Sequence, residues 1–202
     1  MEERPREPSL EERRRGVQPW RRVFHAGNGL TISFLPQVLG VGRTGVLLIL
    51  FAFLGVLTLF DLARLRSPRL NALFFRTFPS LASPREMTRV ASSTWYLLGA
   101  ILVYGLFPTR IAVPAIVVLA LADPAASIVG RLWGRRKLGQ GTVLGTTVFV
   151  AVAFAVLSLF VGAVPAGLAA LVIAAVEVIP WRVDDNLSVP LAGATALWLM
   201  GI

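Results

Sequence analysis

The stretch "LGQGTVLGTTVFVAVAFAVLSLFVGAVPAGLAALVIAAV", residues 138–176, runs for 39 residues without a charged side chain. No soluble helical domain leaves such a length unpunctuated, and a bilayer-crossing helix needs about 20 apolar residues. The stretch therefore reads as most of two membrane segments in succession. The rest of the chain agrees. Of its 202 residues 55% are hydrophobic and 15% charged, against about 25% charged in ordinary soluble domains. One all-α integral membrane domain is the expectation.

Composition also excludes chemistry. There is no cysteine and a single histidine, so a disulfide framework, a thiolate metal site and a multi-histidine zinc site are ruled out. The first 22 residues are rich in Arg and Glu and do not read as a signal peptide. They read as a polar arm, partly disordered or interfacial, that touches anionic headgroups.

Seven apolar segments can be marked, at roughly 26–42, 44–60, 91–108, 111–130, 142–163, 165–181 and 187–202, several of them near the short end of the range of about 17–25 residues for a span. The first carries "HAGNGL" and a proline and is expected to be broken or partly interfacial. With seven spans the basic residues sort cleanly. Those of the N-terminal arm, the loop from Arg64 to Arg89, the loop from Arg131 to Lys137, and Arg182 all fall on one side. Only Arg43 and Arg110 fall on the other. The positive-inside rule then places the N-terminus in the cytoplasm and the C-terminus outside. The net charge of +9 is accounted for by this sorting, and no nucleic-acid partner is expected.

Asp61, Glu86, Asp123, Asp184 and Asp185 lie at or near the cytoplasmic ends. Glu177 lies inside the sixth segment, where an ionisable group marks a functional site by default. The alternative is an acid that snorkels or pairs for structure alone.

Four polar clusters carry the candidate chemistry. "LADPAASIVGRLWGRRKLGQGTVLGTT", residues 121–147, begins with the lone acid Asp123. Pro124 is expected to interrupt the helix or start a new one. Ser127, Gly130 and the cations Arg131, Arg135, Arg136 and Lys137 follow, with Gly134, Gly139 and Gly141 making the loop flexible. An acid beside small residues and arginines suits a phosphorylated ligand with its Mg²⁺, which is held by one or two carboxylates plus phosphate oxygens. An ordinary positive-inside loop beside a structural Asp is the other reading. "VEVIPWRVDDNLSVPL", residues 176–191, puts Asp184, Asp185 and Asn186 in a row, as a helix cap or as a second metal- or nucleotide-binding wall with Glu177. "WRRVFHAGNGL", residues 20–30, places Arg21, Arg22 and His25 as an interfacial anchor or a phosphate contact. In "FDLARLRSPRLNALF", residues 60–74, Asp61 and Arg64 stand three apart, the spacing of an intrahelical ion pair. Glu86 lies before the third segment.

On "RRVFHAGNGL", "FDLARL", "PREMTRVASSTWYLLG", "ADPAASIVGRLWG" and "VEVIPWRVDDNLSVPL", taken in this order and on one side of the membrane, the chain resembles the CTP-dependent membrane lipid kinases: dolichol kinase, phytol kinase and the CTP-dependent diacylglycerol kinase. These are similar in turn to phosphatidate cytidylyltransferase. The resemblance covers residues 20–202 as a polytopic membrane kinase-like domain and leaves 1–19 as the basic arm. It implies CTP- and Mg²⁺-dependent phosphorylation of a lipid alcohol (a polyprenol, a phytol-like isoprenoid alcohol or diacylglycerol) at the cytoplasmic face of the cell or inner membrane. It implies Asp123 and Asp185 as catalytic acids, and Asp123, Asp184, Asp185 and Glu177 as metal ligands. Ser127, Gly130, Arg131, Arg135, Arg136, Lys137, Thr142, Gly145 and Asn186 are implied at the nucleotide. Arg21, Arg22, His25 and Arg64 are implied at phosphate or headgroup.

One stretch departs from the pattern. In "GTVLGT", residues 141–146, Thr142, Gly145 and Thr146 match, but Gly141 stands where the family has Lys and Leu144 where it has Glu. The implied outcomes are substitution by Lys137 or Arg136, a changed donor or reaction, or a non-catalytic relative that binds phosphorylated lipid.

Overall fold

A computed structural model describes residues 18–180 and 183–202. Arg182 and nearly all of the expected arm lie outside the described residues. The described chain forms eight α-helices: α1 Pro19–Val38, α2 Arg43–Arg66, α3 Pro68–Thr77, α4 Ser92–Leu106, α5 Thr109–Trp133, α6 Val143–Val161, α7 Ala163–Val178 and α8 Asp185–Leu199. A 3-10 turn spans Pro84–Met87, and two-residue strands β1 (Lys137–Leu138) and β2 (Gly141–Thr142) pair as an antiparallel hairpin. The all-α expectation holds. α2, α5 and α6 are each long and apolar enough to cross a membrane.

α5 organises the bundle. Its residues from Ile111 to Ala120 are all buried, the mark of a helix that is apolar all round and surrounded by others. α1, α6 and α8 pack on it, α7 lies on α6 and α8, and α8 returns to α4. Small residues let the backbones approach. A Cβ at Gly193 of α8 would lie 3.1 Å from Ile173 of α7 and 3.6 Å from Ala115 of α5. A Cβ at Gly99 of α4 would strike the Asn186 carbonyl of α8.

α1 is one continuous helix from Pro19, so Arg21, Arg22 and His25 sit on its first two turns instead of preceding a broken segment. Proline fits the first helical position because its missing N–H has no partner there anyway. Pro124 neither stops nor restarts a helix. α5 runs through it, since the surrounding helices hold the backbone in place. At the opposite end of the bundle from these polar turns, Arg43 donates from Nε to Tyr104 O and from a terminal nitrogen to Gly105 O, both at 2.6 Å. It thereby satisfies the last carbonyls of α4 with a cation.

Candidate active site

Where α1, α5 and α8 present their polar turns, the chain encloses an open cavity of about 1300 Å³. Asp123, Ser127 and Arg131 line it from successive turns of α5, the i, i+4, i+8 spacing that keeps side chains on one face. Arg21, Arg22 and His25 line it from α1, and Asp184, Asp185 and Asn186 from the start of α8. Three clusters separated by more than 50 residues in sequence thus meet around one chamber.

The remaining wall is a loop that the sequence reading left without a role. Glu86 is buried and receives the Ser83 amide at 3.2 Å, the Ser92 amide at 3.2 Å and the Ser92 hydroxyl at 2.8 Å. Arg21 completes this set, reaching Glu86 Oε1 at 3.3 Å and Ser92 Oγ at 2.6 Å. The loop is held from beneath by Asp61 and Arg64. Asp61 receives Arg64 Nε at 2.6 Å, the Ala91 amide at 2.9 Å and the Thr94 hydroxyl at 2.8 Å. Arg64 donates further to Asn71 Oδ1, Glu86 O and Arg89 O and lies over the Phe74 ring.

Arg64 therefore differs from its expected place at a headgroup. It is fully buried, and its donors are spent on protein acceptors. The FDLAR spacing encoded the ion pair; that it supports a loop arriving 22 or more residues later was not legible.

The hairpin is the second departure. Gly139 has φ +53°, a conformation glycine adopts at no steric cost. The hairpin docks on the ends of α7 and α8 instead of hanging as a flexible loop. Gln140 donates its amide N–H to Val178 O and its side-chain Nε2 to Glu177 O, Ile179 O and Asp185 Oδ1. Gln140, unassigned in the sequence, lines the cavity. Arg135, Arg136 and Lys137 are exposed and are not among its lining.

Gly130, Thr142 and Gly145 are structural in this arrangement. Thr142 caps α6 by accepting the Gly145 amide at 3.1 Å. A Cβ at Gly130 would lie 2.9 Å from Thr142 Oγ1 and 3.3 Å from Gly145 Cα. The three residues let the end of α5 and the start of α6 pack closely, and none lines the cavity. Glu177 also lies outside its lining, with Oε2 buried and unpaired.

Electrostatics set the character of the chamber. Five arginines line it, Arg21, Arg22, Arg85, Arg89 and Arg131, together with four acids, Glu86, Asp123, Asp184 and Asp185. Glu86 is committed to its loop, and Asp184 caps α8 by accepting from the Asn186 amide at 3.1 Å and side chain at 2.7 Å. Burial, then Asp123 and Asp184, push the Asp185 carboxyl up to about 6. Burial lowers the Arg22 guanidinium and the His25 imidazole from their ordinary values, with Asp123 opposing both. The His25 ring meets Tyr96 edge-on at 4.5 Å.

Among the described residues no group of three or more acids and histidines could hold a metal by itself. The expected four-acid set of Asp123, Asp184, Asp185 and Glu177 is thus not gathered. Asp123 and Asp185 in an arginine-lined chamber fit a divalent cation that arrives on a polyphosphate, which asks for one or two carboxylates.

Fold and cavity together define a helical membrane protein with a large polar chamber where its apolar helices end. No family model and no solved structure matches the chain. CTP-dependent diacylglycerol kinase 1 of Saccharomyces cerevisiae is 30% identical over 138 residues, covering 64% of this chain and 47% of that protein. The protein of the same name from Eremothecium gossypii is 35% identical over 115 residues, covering 56% and 36%. That of Schizosaccharomyces pombe is 32% identical over 75 residues, covering 37% and 34%. These similarities support membership of the CTP-dependent lipid kinase family. The matches span from a third to about half of each relative's length.

Proposed function

We propose that the chain phosphorylates a membrane lipid alcohol from CTP at the cytoplasmic face. Diacylglycerol is the first acceptor to test because the relatives carry its name. The observation that carries the reading is the shared chamber, which puts Asp123, Asp185 and five arginines where the apolar helices end. In the reaction the lipid oxygen bonds to the γ-phosphorus, the bond to the β,γ-bridging oxygen breaks, and CDP leaves. The hydroxyl proton passes to Asp123. Phosphoryl transfer needs positioning and charge neutralisation more than covalent help. Arg21, Arg22 and Arg131 supply the charge, Ser127 and Asn186 the polar contacts, and Asp123 and Asp185 would hold Mg²⁺. Bound Mg²⁺ would neutralise the phosphate oxygens.

The topology belongs to the same proposal. Each of the seven apolar segments coincides largely with one helix, and we read all seven as spans with the N-terminus cytoplasmic. On this reading the polar first turns of α1 and α8 project beyond the apolar core of the membrane. α4 and α8, with 15 residues each, reach about 22 Å, so the bilayer thins around them or their flanks snorkel.

Gly141 and Leu144 do not line the chamber, which supports a catalytic chain over a purely lipid-binding one. The test is purified protein with Mg²⁺, labelled CTP or ATP, and a panel of diacylglycerol, polyprenols and phytol. If no lipid gains phosphate with any nucleotide, the kinase reading fails. Transfer of α-label instead of γ-label would show cytidylyl transfer.

A further inference from the structure

α3 has a composition that the chamber does not explain. None of its residues is buried. Leu73 and Leu70 are exposed, as are Arg69 and Arg76. Arg69, Leu73 and Arg76 share a face at i, i+4 and i+7, and Asn71 and Phe74 point the other way, onto Arg64. From Leu65 to Arg85 the chain has four arginines and no acid. A leucine between arginines on an outward face matches an interfacial helix that buries its apolar side chain among anionic headgroups.

The inner face of α3 is tied to the chamber. Asn71 Nδ2 donates to Met87 O at 2.9 Å, and Asn71 Oδ1 accepts from Arg64 at 3.0 Å. The same Arg64 holds Glu86 O and Arg89 O. α3 and the loop at residues 84–91 are therefore tied through Asn71 and Arg64, and that loop places Arg85, Glu86, Thr88 and Arg89 in the cavity wall.

We propose that α3 is a docking surface for the anionic headgroup layer of the chain's own membrane, and that its seating there holds the loop at 84–91 against the chamber. The docking stands without the kinase reading; only its effect on turnover rests on that reading.

The chain contains no cysteine, so Leu73→Cys creates a unique thiol on the outer face for an environment-sensitive fluorophore. The full chain is reconstituted in nanodiscs of phosphatidylcholine alone or with phosphatidylglycerol. The fluorophore is expected to shift to the blue and to be quenched by nitroxide lipid in the anionic discs. Arg69→Gln and Arg76→Gln are expected to weaken the seating by about fivefold each. In a separate chain, Thr88→Cys is alkylated by a water-soluble maleimide. Its rate is expected to fall severalfold in anionic discs, and Asn71→Ala is expected to abolish that fall while leaving the Leu73 signal in place. A fluorophore equally wet in both compositions, or a blue shift indifferent to both arginines, overturns the docking. A Thr88 rate indifferent to lipid charge overturns the coupling. Neither readout requires phosphorylation, so a chain that fails as a kinase still decides the proposal.

Discussion

Gln140 Nε2 lies 3.0 Å from Asp185 Oδ1. Through this contact a two-residue turn grips the first residue of α8 and fixes the acid that burial pushes up to about 6. Asp185 lines the same chamber as Asp123 of α5, and the hairpin contacts it there.

Gln140→Ala frees Asp185 without altering any charge. Supporting contacts of this kind are typically worth 10–100-fold in affinity or activity at a metal site. Affinity for Mg²⁺–CTP is expected to fall by about tenfold, with the melting temperature nearly unchanged. Titration calorimetry alongside a thermal melt separates the two. An unchanged nucleotide affinity would leave the hairpin with a packing role only.

Arg64 is expected to be a stability residue. Arg64→Met leaves the Asp61 carboxylate buried with its cation gone, a loss of about 3–5 kcal/mol. The double variant with Asp61→Asn is expected to recover part of the loss. Thermal melts of the two single variants and the double in detergent measure the coupling. A raised acceptor KM with an unchanged melt would return Arg64 to the headgroup role.

The His25 imidazole is held below its ordinary 6.5, first by burial and then by Arg21 and Arg22, against Asp123 and Asp184. The unfolded chain takes up this proton near 6.5 while the folded chain does not, so the unfolded state binds more protons in that window. The His25 contribution is therefore full above 6.5 and is lost as pH falls below it. His25→Gln has no such proton. Its melting temperature is expected to decline less than the wild type's between pH 7.5 and pH 5.5, and equal declines would contradict the assignment.

The fold was legible to the extent that membrane helices announce themselves by apolar length. The seven segments coincide with helices, and α5 was readable because ten consecutive apolar residues have no polar face. α3 was missed because ten residues with two arginines among them carry too little hydropathy to register. Asp123, Asp185 and Arg131 were legible because charge beside an apolar helix is costly enough to need a reason. Glu86 had a signal in Ser83–Glu86, the spacing of a capping box, but not its bond to Arg21, which closes over 65 residues. Thr142, Gly130 and Gly145 were placed at the nucleotide by the family resemblance, and small residues permit close approach by a ligand or by another helix alike. Only the positions of α5 and α6 decide between these.

The central claim is that Asp123 serves γ-phosphoryl transfer from CTP to a lipid hydroxyl in this chamber. The most direct measurement follows γ- and α-labelled CTP into diacylglycerol with the purified chain and Asp123→Asn, both shown by thermal melt to be folded. The account predicts lipid labelled from the γ position and not the α position, and a loss of about 10²–10⁴ in rate for Asp123→Asn, the range for removing a general base. Unlabelled lipid, α-label in the lipid, or an Asp123→Asn rate within a few-fold of wild type would contradict it.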